Sequence, residues 1–204
     1  MRDHSTTSRT LRLIILAALI LVSAACSVFS DDEEPKTAAT IYTRVSEGTL
    51  NAGDPIPVPD AANVTLTITG LVGNTNDGDQ IIMDREALEA VGQYEYTQTD
   101  PFEEVEVTHR GVLMQDLLAL WGVSGAATVL HMTALNDYTI DVSLADVRQY
   151  FALLALQENG AYMEVSRRGP AMLVFPYADF ELNETLFNNY WIWQLKSIDV
   201  DSGS

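Results

Sequence analysis

The sequence is poor in cysteine, in basic residues and in long apolar runs, and each shortage argues against a class of protein. A single cysteine, Cys26, excludes an intrachain disulfide. Eleven Lys and Arg stand against 29 Asp and Glu, so the net charge of −18 disfavours binding to nucleic acid and to anionic lipid headgroups. The apolar run 13–22 has ten residues, about half of the roughly twenty that a membrane-spanning helix needs.

The common catalytic motifs are also missing. The sequence has no G-x-S-x-G elbow, no Walker glycine loop, no H-E-x-x-H helix and no C-x-x-C pair. It has three histidines, and removal of an N-terminal leader leaves only His109 and His131. Both fall in predicted strands, where a hydrogen-bonded histidine of the sheet is a simpler interpretation than a ligand or base. A metal site would therefore need carboxylate ligands, for which the candidates near His109 are Asp100, Glu103, Glu104 and Glu106.

The N-terminal residues predict a secreted, lipid-anchored protein. Arginines precede the apolar run, and the small residues 23–25 lie directly before Cys26, as a signal peptidase requires. The segment resembles the lipobox of bacterial lipoproteins, in which the cysteine becomes the lipid-bearing first residue, although Ser23 stands at the usual leucine position. The alternative is an ordinary secretory peptide that leaves Cys26 as a free thiol.

This prediction places the protein outside the cytoplasm, on the periplasmic face of a membrane or at the cell surface. The lipid anchor makes the membrane its partner. Ser27 follows the cysteine in place of the aspartate that marks inner-membrane retention, which favours the outer membrane where the organism has one. Cleavage before Cys26 leaves 179 residues with eight basic and 28 acidic side chains, a net charge of −20. We interpret this charge as a solubilising acidic surface.

The predicted organisation is a signal peptide over 1–25, a flexible tether over 26–60 and one domain over 61–204. The tether prediction rests on an acidic run followed by three prolines among residues 55–59, because such composition favours extended, unpacked backbone. Residues 39–45 are a β-like exception that is able to dock on the domain.

Hydrophobic periodicity predicts an α+β domain with a mixed or antiparallel sheet and short helices. Asp84 is a predicted helix cap, Ser143 begins a predicted capping box, and Asn159-Gly160 predicts a hairpin turn. The strands outnumber the helices, which argues against a regular βαβ succession. The predicted strands cover 64–69, 94–97, 105–109, 128–133, 138–142, 151–156, 162–165, 172–175 and 191–200, and the predicted helices cover 85–91, 113–120 and 144–149.

Six short motifs follow one another along this domain. They are I-T-G at 68–70, R-G-V-L-M-Q-D-L-L at 110–118, A-L-N-D-Y at 134–138, L-A-L-Q-E-N-G at 154–160, R-R-G-P-A-M-L-V-F-P at 167–176 and W-I-W-Q-L-K-S-I-D-V at 191–200. Their order and spacing resemble the oxidoreductase molybdopterin-binding domain over residues 62–201, although no single motif is specific. The resemblance implies an α+β, sulfite-oxidase-like molybdopterin-binding fold.

The residues that this family uses for chemistry are absent. Its catalytic members bind molybdenum through a cysteine that lies between the first helix and the G-V-x-L motif, because a soft thiolate suits this metal. The corresponding stretch 92–111 contains no sulfur, so the equivalent place falls to Gln98, Thr99 or Asp100. Catalytic members also carry an arginine after the G-P pair, where this chain has Ala-Met-Leu at 171–173. We therefore expect no cofactor, with molybdopterin as the alternative because its dithiolene supplies its own sulfurs.

A pterin-like or other small ligand would be held by basic and aromatic side chains around these motifs. Arginines beside acids on the surface are the simpler interpretation of the pairs 109–110 and 167–168. Tyr138, together with Phe102 and Tyr177, lies beside turn residues and is a candidate for a pocket wall. The candidate cofactor-binding residues are Asp100, His109, Arg110, Tyr138, Arg167 and Arg168.

Three functions from different classes remain open at this point. The missing thiolate favours a non-catalytic ligand-binding or accessory module anchored outside the cytoplasm. The second is a molybdopterin-dependent oxidoreductase whose metal has a non-cysteine ligand such as Asp100. The third is a structural or interaction domain of an envelope complex.

Overall fold

The computed structural model describes residues 35–203. The predicted signal peptide, Cys26 and the acidic start of the predicted tether lie outside the described residues, so the lipid anchor stays a prediction. Residues Lys36–Ser204 form one unit. In the part of the chain that the structure describes, no helix is both long and apolar enough to cross a membrane.

Eleven strands and five short helices form among residues 35–203. The strands are β1 (Thr43–Ser46), β2 (Leu66–Gly70), β3 (Ile81–Met83), β4 (Gln93–Thr99), β5 (Glu106–Leu113), β6 (Val129–Ala134), β7 (Thr139–Ser143), β8 (Leu153–Glu158), β9 (Ala161–Tyr162), β10 (Met172–Val174) and β11 (Leu195–Asp201). The helices are α1 (Ala38–Ile41), α2 (Arg85–Glu89), α3 (Met114–Leu120), α4 (Leu144–Gln149) and α5 (Glu184–Tyr190).

The strands form two sheets. The first is antiparallel throughout, with the order β1-β4-β5-β8-β10 and with β9 also paired to β8. The second has the order β3-β2-β11-β6-β7 and is mixed, because β11 runs parallel to β2 and antiparallel to β6. This architecture confirms the predicted α+β class with mixed and antiparallel sheets and short helices.

One apolar core contains residues of both sheets and of four helices. Strand β8, which lies between β5 and β10, is buried over Leu153–Gln157, which agrees with the continuous apolar run that predicted burial on both faces. The backbones of β5 and β8 lie very close together at Gly111. A Cβ atom at this position would lie 1.9 Å from the carbonyl oxygen of Leu154. Only glycine fits at this crossing of β5 and β8.

The segment from Lys36 to Asp60 belongs to this unit and is not a free tether. Strand β1 adds to the edge of the first sheet by pairing with β4. Tyr42, Leu50 and Ile56 are all buried in the core, and the Tyr42 hydroxyl donates to the carbonyl oxygen of Phe151 at 2.8 Å. Burial of these few apolar side chains holds the segment on the domain. The average composition of the segment predicted a tether because it is dominated by the other, polar residues.

Several local predictions are confirmed by cap geometry. The side chain of Asp84 accepts from the Ala87 amide at the start of α2, and Ser143 accepts from the Asp146 amide at the start of α4, which is the N-cap half of the predicted capping box. Asn159 and Gly160 both have positive φ in the turn that joins β8 to β9.

Helix α5 was not predicted from the sequence, although Asn183 caps it by accepting from the Leu186 amide. Its buried residues Phe187 and Tyr190 pack against the ring of Phe175. The helix ends at Tyr190 and leads into Trp191, so it places the tryptophans before β11 beside the turn that follows β4.

Candidate functional site

Four polar side chains meet at one end of the first sheet, and we call them the ion cluster: Asp100, His109, Glu158 and Arg168. The guanidinium Nη1 of Arg168 lies 2.5 Å from Asp100 Oδ2 and 3.0 Å from Glu158 Oε1. Asp100, His109 and Arg168 are at least 98 % buried, and Glu158 is nearly so. Ionised groups are rarely found at such depth unless they are paired.

The fold brings these residues together from four separate parts of the chain. His109 on β5 and Glu158 on β8 are directly opposite each other in the antiparallel register. Asp100 follows the last residue of β4, which pairs with β5 on its other side. Arg168 comes from the loop between β9 and β10, and its carbonyl group also accepts from the amide of Gln194.

Both carboxylate oxygens of Asp100 accept hydrogen bonds in this arrangement. Its Oδ1 accepts from the backbone amides of Phe102 and Glu103 at 2.8 and 2.9 Å, while Oδ2 accepts from Arg168. Burial by itself raises the pKa of Asp100, but the Arg168 hydrogen bond and the two amides outweigh it and hold the pKa below its ordinary value.

Glu158 is also held as a carboxylate. The nearby imidazole of His109 lowers the pKa of Glu158 most, burial opposes this, and Arg168 lowers it further. Burial lowers the pKa of Arg168, but Asp100 and Glu158 together raise it above the ordinary value. Asp100, Glu158 and Arg168 therefore contribute two negative charges and one positive charge to the cluster.

His109 differs from the hydrogen-bonded sheet histidine that we expected. Among residues 35–203, neither ring nitrogen has a hydrogen-bond partner, and Nε2 lies 3.7 Å from Glu158 Oε1. The ring instead packs edge-on to Trp191, with 5.6 Å between ring centroids. The nitrogens of this buried histidine therefore have unused hydrogen-bonding capacity beside a carboxylate.

A pocket of about 270 Å³ opens beside the ion cluster, and we call it the aromatic pocket. The Arg168 guanidinium stacks on the ring of Trp193 at 4.6 Å, and Trp191 separates His109 from the pocket. The volume falls just below the range of about 300–1,000 Å³ usual for drug-sized ligands. The pocket is lined by Phe102, Ala134, Asn136, Tyr138, Asn188, Asn189, Trp191, Ile192, Trp193 and Gln194.

The four amide side chains of the pocket are oriented by hydrogen bonds. Asn136 Oδ1 accepts from the Tyr138 amide at 3.1 Å, and Asn188 Oδ1 accepts from the Tyr177 hydroxyl at 2.6 Å. Asn189 Nδ2 donates to the Thr185 carbonyl at 2.7 Å, and Gln194 Nε2 donates to the Val165 carbonyl at 2.6 Å. Each amide thus uses one end for the fold, and its other end has no partner among the described residues.

The structure sorts the six candidate cofactor residues into three groups. Asp100, His109 and Arg168 belong to the ion cluster, and Tyr138 lines the aromatic pocket. Arg167 is exposed and forms an ion pair with Glu103 at 2.7 Å. Arg110 pairs with Glu95, the residue opposite it on β4, at 2.6 Å.

Sequence reasoning missed Glu158, Trp191 and the four pocket amides. Glu158 lies inside the L-A-L-Q-E-N-G motif, but its position opposite His109 depends on the strand register. The consecutive residues Asn188, Asn189, Tyr190 and Trp191 are the local signal that an amide-rich aromatic wall was present.

Three ligand atoms of Asp100, His109 and Glu158 lie within 4.8 Å of one another, which is the spacing of a metal site. However, Nη1 of Arg168 already lies between the two carboxylates, so a cation is built into this position. A metal ion there would meet the positive charge of the guanidinium at short range.

The donors around the site do not match molybdopterin, the group that the family resemblance implies. Its phosphate needs basic groups with free charge. Arg167 and Arg168 both pair with Glu103, and Arg168 pairs with Asp100 and Glu158 as well. No sulfur ligand is present in the ion cluster to take the place of the missing thiolate.

The sequence matches no known protein-family model and no curated protein. The structure is similar to the crystal structure of the sulfane dehydrogenase SoxCD from Paracoccus pantotrophus, with a TM-score of 0.53 and 16 % sequence identity. The match covers 92 % of this chain and 59 % of that one, so this chain spans about three fifths of its length. At this identity the likeness concerns the fold, which is sulfite-oxidase-like.

Proposed function

We propose that this chain is a non-catalytic binding module on a sulfite-oxidase-like fold, held outside the cytoplasm by a lipid on Cys26. Its ligand is a small molecule that enters the aromatic pocket. The observation that carries this proposal is the position of Arg168, which pairs with both carboxylates of the ion cluster and stacks on the pocket wall at Trp193.

The ion cluster is suited to shaping the pocket and poorly placed for catalysis. A catalytic group has to touch the substrate, whereas Asp100 and His109 have no exposed surface. Neither residue is among those that line the pocket, whereas Trp191, which packs against His109, and Trp193, which stacks on Arg168, do line it. Arg168 and Asp100 tie the loop after β9 to the turn after β4, and this turn carries Phe102 to the pocket rim.

The proposal is tested with the full-length protein, purified in detergent from a host that makes molybdopterin. We expect neither molybdenum, measured by mass spectrometry, nor pterin, measured by fluorescence after oxidation. In a thermal-shift screen of small molecules, a ligand at one hundred times its dissociation constant stabilises the protein by about 2.7 kcal/mol.

A matched pair of variants assigns any ligand to the aromatic pocket. Tyr138 and Tyr162 are both about half exposed, at 48 % and 46 %, but only Tyr138 lines the pocket. Tyr138→Ala is expected to reduce the ligand-induced shift, and Tyr162→Ala is expected to keep it. Stoichiometric molybdenum in the purified protein would refute the proposal.

A second candidate function is a metal-dependent oxidoreductase. It is favoured by one observation, the unpartnered nitrogens of His109 beside Asp100 and Glu158. For this function Arg168 would have to leave the two carboxylates and a non-cysteine ligand would hold the metal. The same metal assay decides between the binding module and the oxidoreductase. The oxidoreductase requires one metal ion per chain and loss of this ion in Asp100→Asn.

A further inference from the structure

The lining of the aromatic pocket indicates the charge of its ligand. Among residues 35–203, no Asp, Glu, Lys, Arg or His lines the pocket. A buried ionic ligand needs an opposite charge or several donors to replace its hydration. The chain as a whole carries a strong negative charge, which adds repulsion for an anion. The lining therefore favours a neutral ligand over an anionic one.

An organic cation is also disfavoured, although aromatic rings attract cations. Trp193 is one of the four aromatic side chains that line the pocket, and Arg168 already stacks on it at 4.6 Å. A second positive charge at this ring would be repelled by the guanidinium.

The free ends of the four amide side chains offer a ligand both hydrogen-bond donors and hydrogen-bond acceptors. Asn136 and Asn188 use their oxygens for the fold, which leaves two NH₂ donors. Asn189 and Gln194 use their nitrogens, which leaves two carbonyl acceptors. A hydroxyl group both donates and accepts, so neighbouring hydroxyls on one ring satisfy such a mixed set. A purely apolar ligand would leave these amides desolvated and unpaired.

We propose that the aromatic pocket binds one neutral sugar ring, with its C–H face on an aromatic side chain and its hydroxyls on the amides. This inference rests on the proposed binding function and names the class of its ligand. The pocket volume of about 270 Å³ is in the range for a single ring.

The test uses isothermal titration of the full-length protein with sugars matched in shape but different in charge. Neutral hexoses and N-acetylhexosamines are compared with glucuronate, the anionic analogue of glucose, and with choline as an organic cation. We expect at least one neutral sugar to bind about tenfold more tightly than glucuronate, the difference that one charged or unpaired group produces. Equal or tighter binding of glucuronate or choline overturns the inference, as does a lack of binding by every neutral sugar.

Substitutions by aspartate separate the role in binding from the role in folding. Asn188→Asp keeps the oxygen that accepts from Tyr177 and removes the donor that faces the ligand. Asn159→Asp is the control, because Asn159 Oδ1 likewise accepts, from the Thr108 amide at 3.0 Å, and Asn159 is not among the residues that line the pocket. We expect sugar affinity to fall about tenfold in Asn188→Asp and to stay unchanged in Asn159→Asp.

The outcomes for the two proposals are distinguishable. Choline binding that is lost in Tyr138→Ala would overturn the sugar assignment and leave the binding module standing. Bound molybdenum would overturn both.

Discussion

Removal of Arg168 is expected to be among the most destabilising single changes in this domain, and the variant Arg168→Met tests the reasoning about the ion cluster. Methionine keeps much of the side-chain length but removes the charge. The carboxylates of Asp100 and Glu158 then remain buried with no cation within hydrogen-bonding distance. Loss of one partner from a buried ion pair costs about 3–5 kcal/mol, and loss of the stacking on Trp193 adds on the order of 1 kcal/mol.

This magnitude is large compared with the total stability of a domain, about 5–15 kcal/mol. It corresponds to a decrease in melting temperature of roughly 8–24 °C for a domain of this size. The measurement is urea unfolding followed by tryptophan fluorescence and circular dichroism. The matched control is Arg110→Met, because Arg110 forms an ion pair with Glu95 in which about a third of each side chain is exposed. Such a pair contributes about 1 kcal/mol or less.

The pH dependence provides a second measurement for the same variant. In the wild type, the pKa values of Asp100 and Glu158 are lowered, so their stabilisation is present above the unfolded-state values near about 4 and is lost as pH falls through the folded values. Without Arg168, burial of Asp100 is opposed only by the two backbone amides, so its pKa rises, whereas His109 still lowers the pKa of Glu158. The Asp100 carboxylate therefore makes the variant lose stability as pH rises above about 4.

The stability difference between wild type and Arg168→Met should therefore widen from about pH 4 to about pH 6. In the double variant Arg168→Met/Asp100→Asn one buried charge is gone, and the new side-chain amide retains an oxygen that accepts from the two backbone amides. We expect this double variant to recover part of the loss. If Arg168→Met is no less stable than Arg110→Met, or if the difference does not change with pH, the account of the ion cluster is refuted.

Three further predictions concern other parts of the chain. Cys26→Ser is expected to yield an unlipidated precursor that still carries its leader and migrates more slowly on gels; unchanged membrane partitioning and mobility would contradict lipidation. Hydrogen bonding to Asp141 raises the pKa of His131 despite the opposing effect of burial, with a smaller contribution from Asp201. The stabilisation that His131 gives the fold is therefore complete below the unfolded-state pKa of about 6.5 and is lost as pH rises through the folded value. His131→Asn should flatten the dependence of stability on pH between about 6 and 8, and an identical slope in variant and wild type would count against this assignment. Gly111→Ala is expected to lower the free energy of unfolding in urea by more than about 3 kcal/mol, because its Cβ would lie 1.9 Å from the Leu154 carbonyl oxygen. The control Gly125→Ala should be nearly neutral, because its Cβ has no described atom within 4 Å. Equal stabilities of the two variants would show that β5 and β8 separate easily.

The fold class was predictable from local patterns because these patterns depend on neighbours in sequence. Asp84 and Ser143 cap their helices, and Asn159-Gly160 makes its turn, through atoms only two to three residues away. The motif order from Ile68 to Val200 likewise led to the sulfite-oxidase-like fold that the structural comparison supports. The β-like pattern of residues 39–45 indicated that this stretch is able to dock, and β1 pairs with β4 there. Docking of the following residues up to Asp60 was not predictable, since it depends on where Leu50 and Ile56 find a core.

The candidate site shows the same division. Asp100, His109 and Arg168 were singled out one by one because histidines and basic residues are scarce in this acidic chain, but no local pattern joined them. Glu158 meets His109 only through the register of β5 and β8. The tryptophans reach the pocket only because α5 ends beside the turn after β4.

Composition alone made Cys26 the sole thiol and left the family's metal position without sulfur. That conclusion needs no coordinates, because a residue type that is absent cannot be supplied by folding. Tertiary structure decided where the buried charges meet: a guanidinium from the loop after β9 reaches the carboxylate of Asp100, just after β4, and that of Glu158 on β8. The stability of buried charges depends on distances between residues far apart in sequence, and only the folded chain sets those distances.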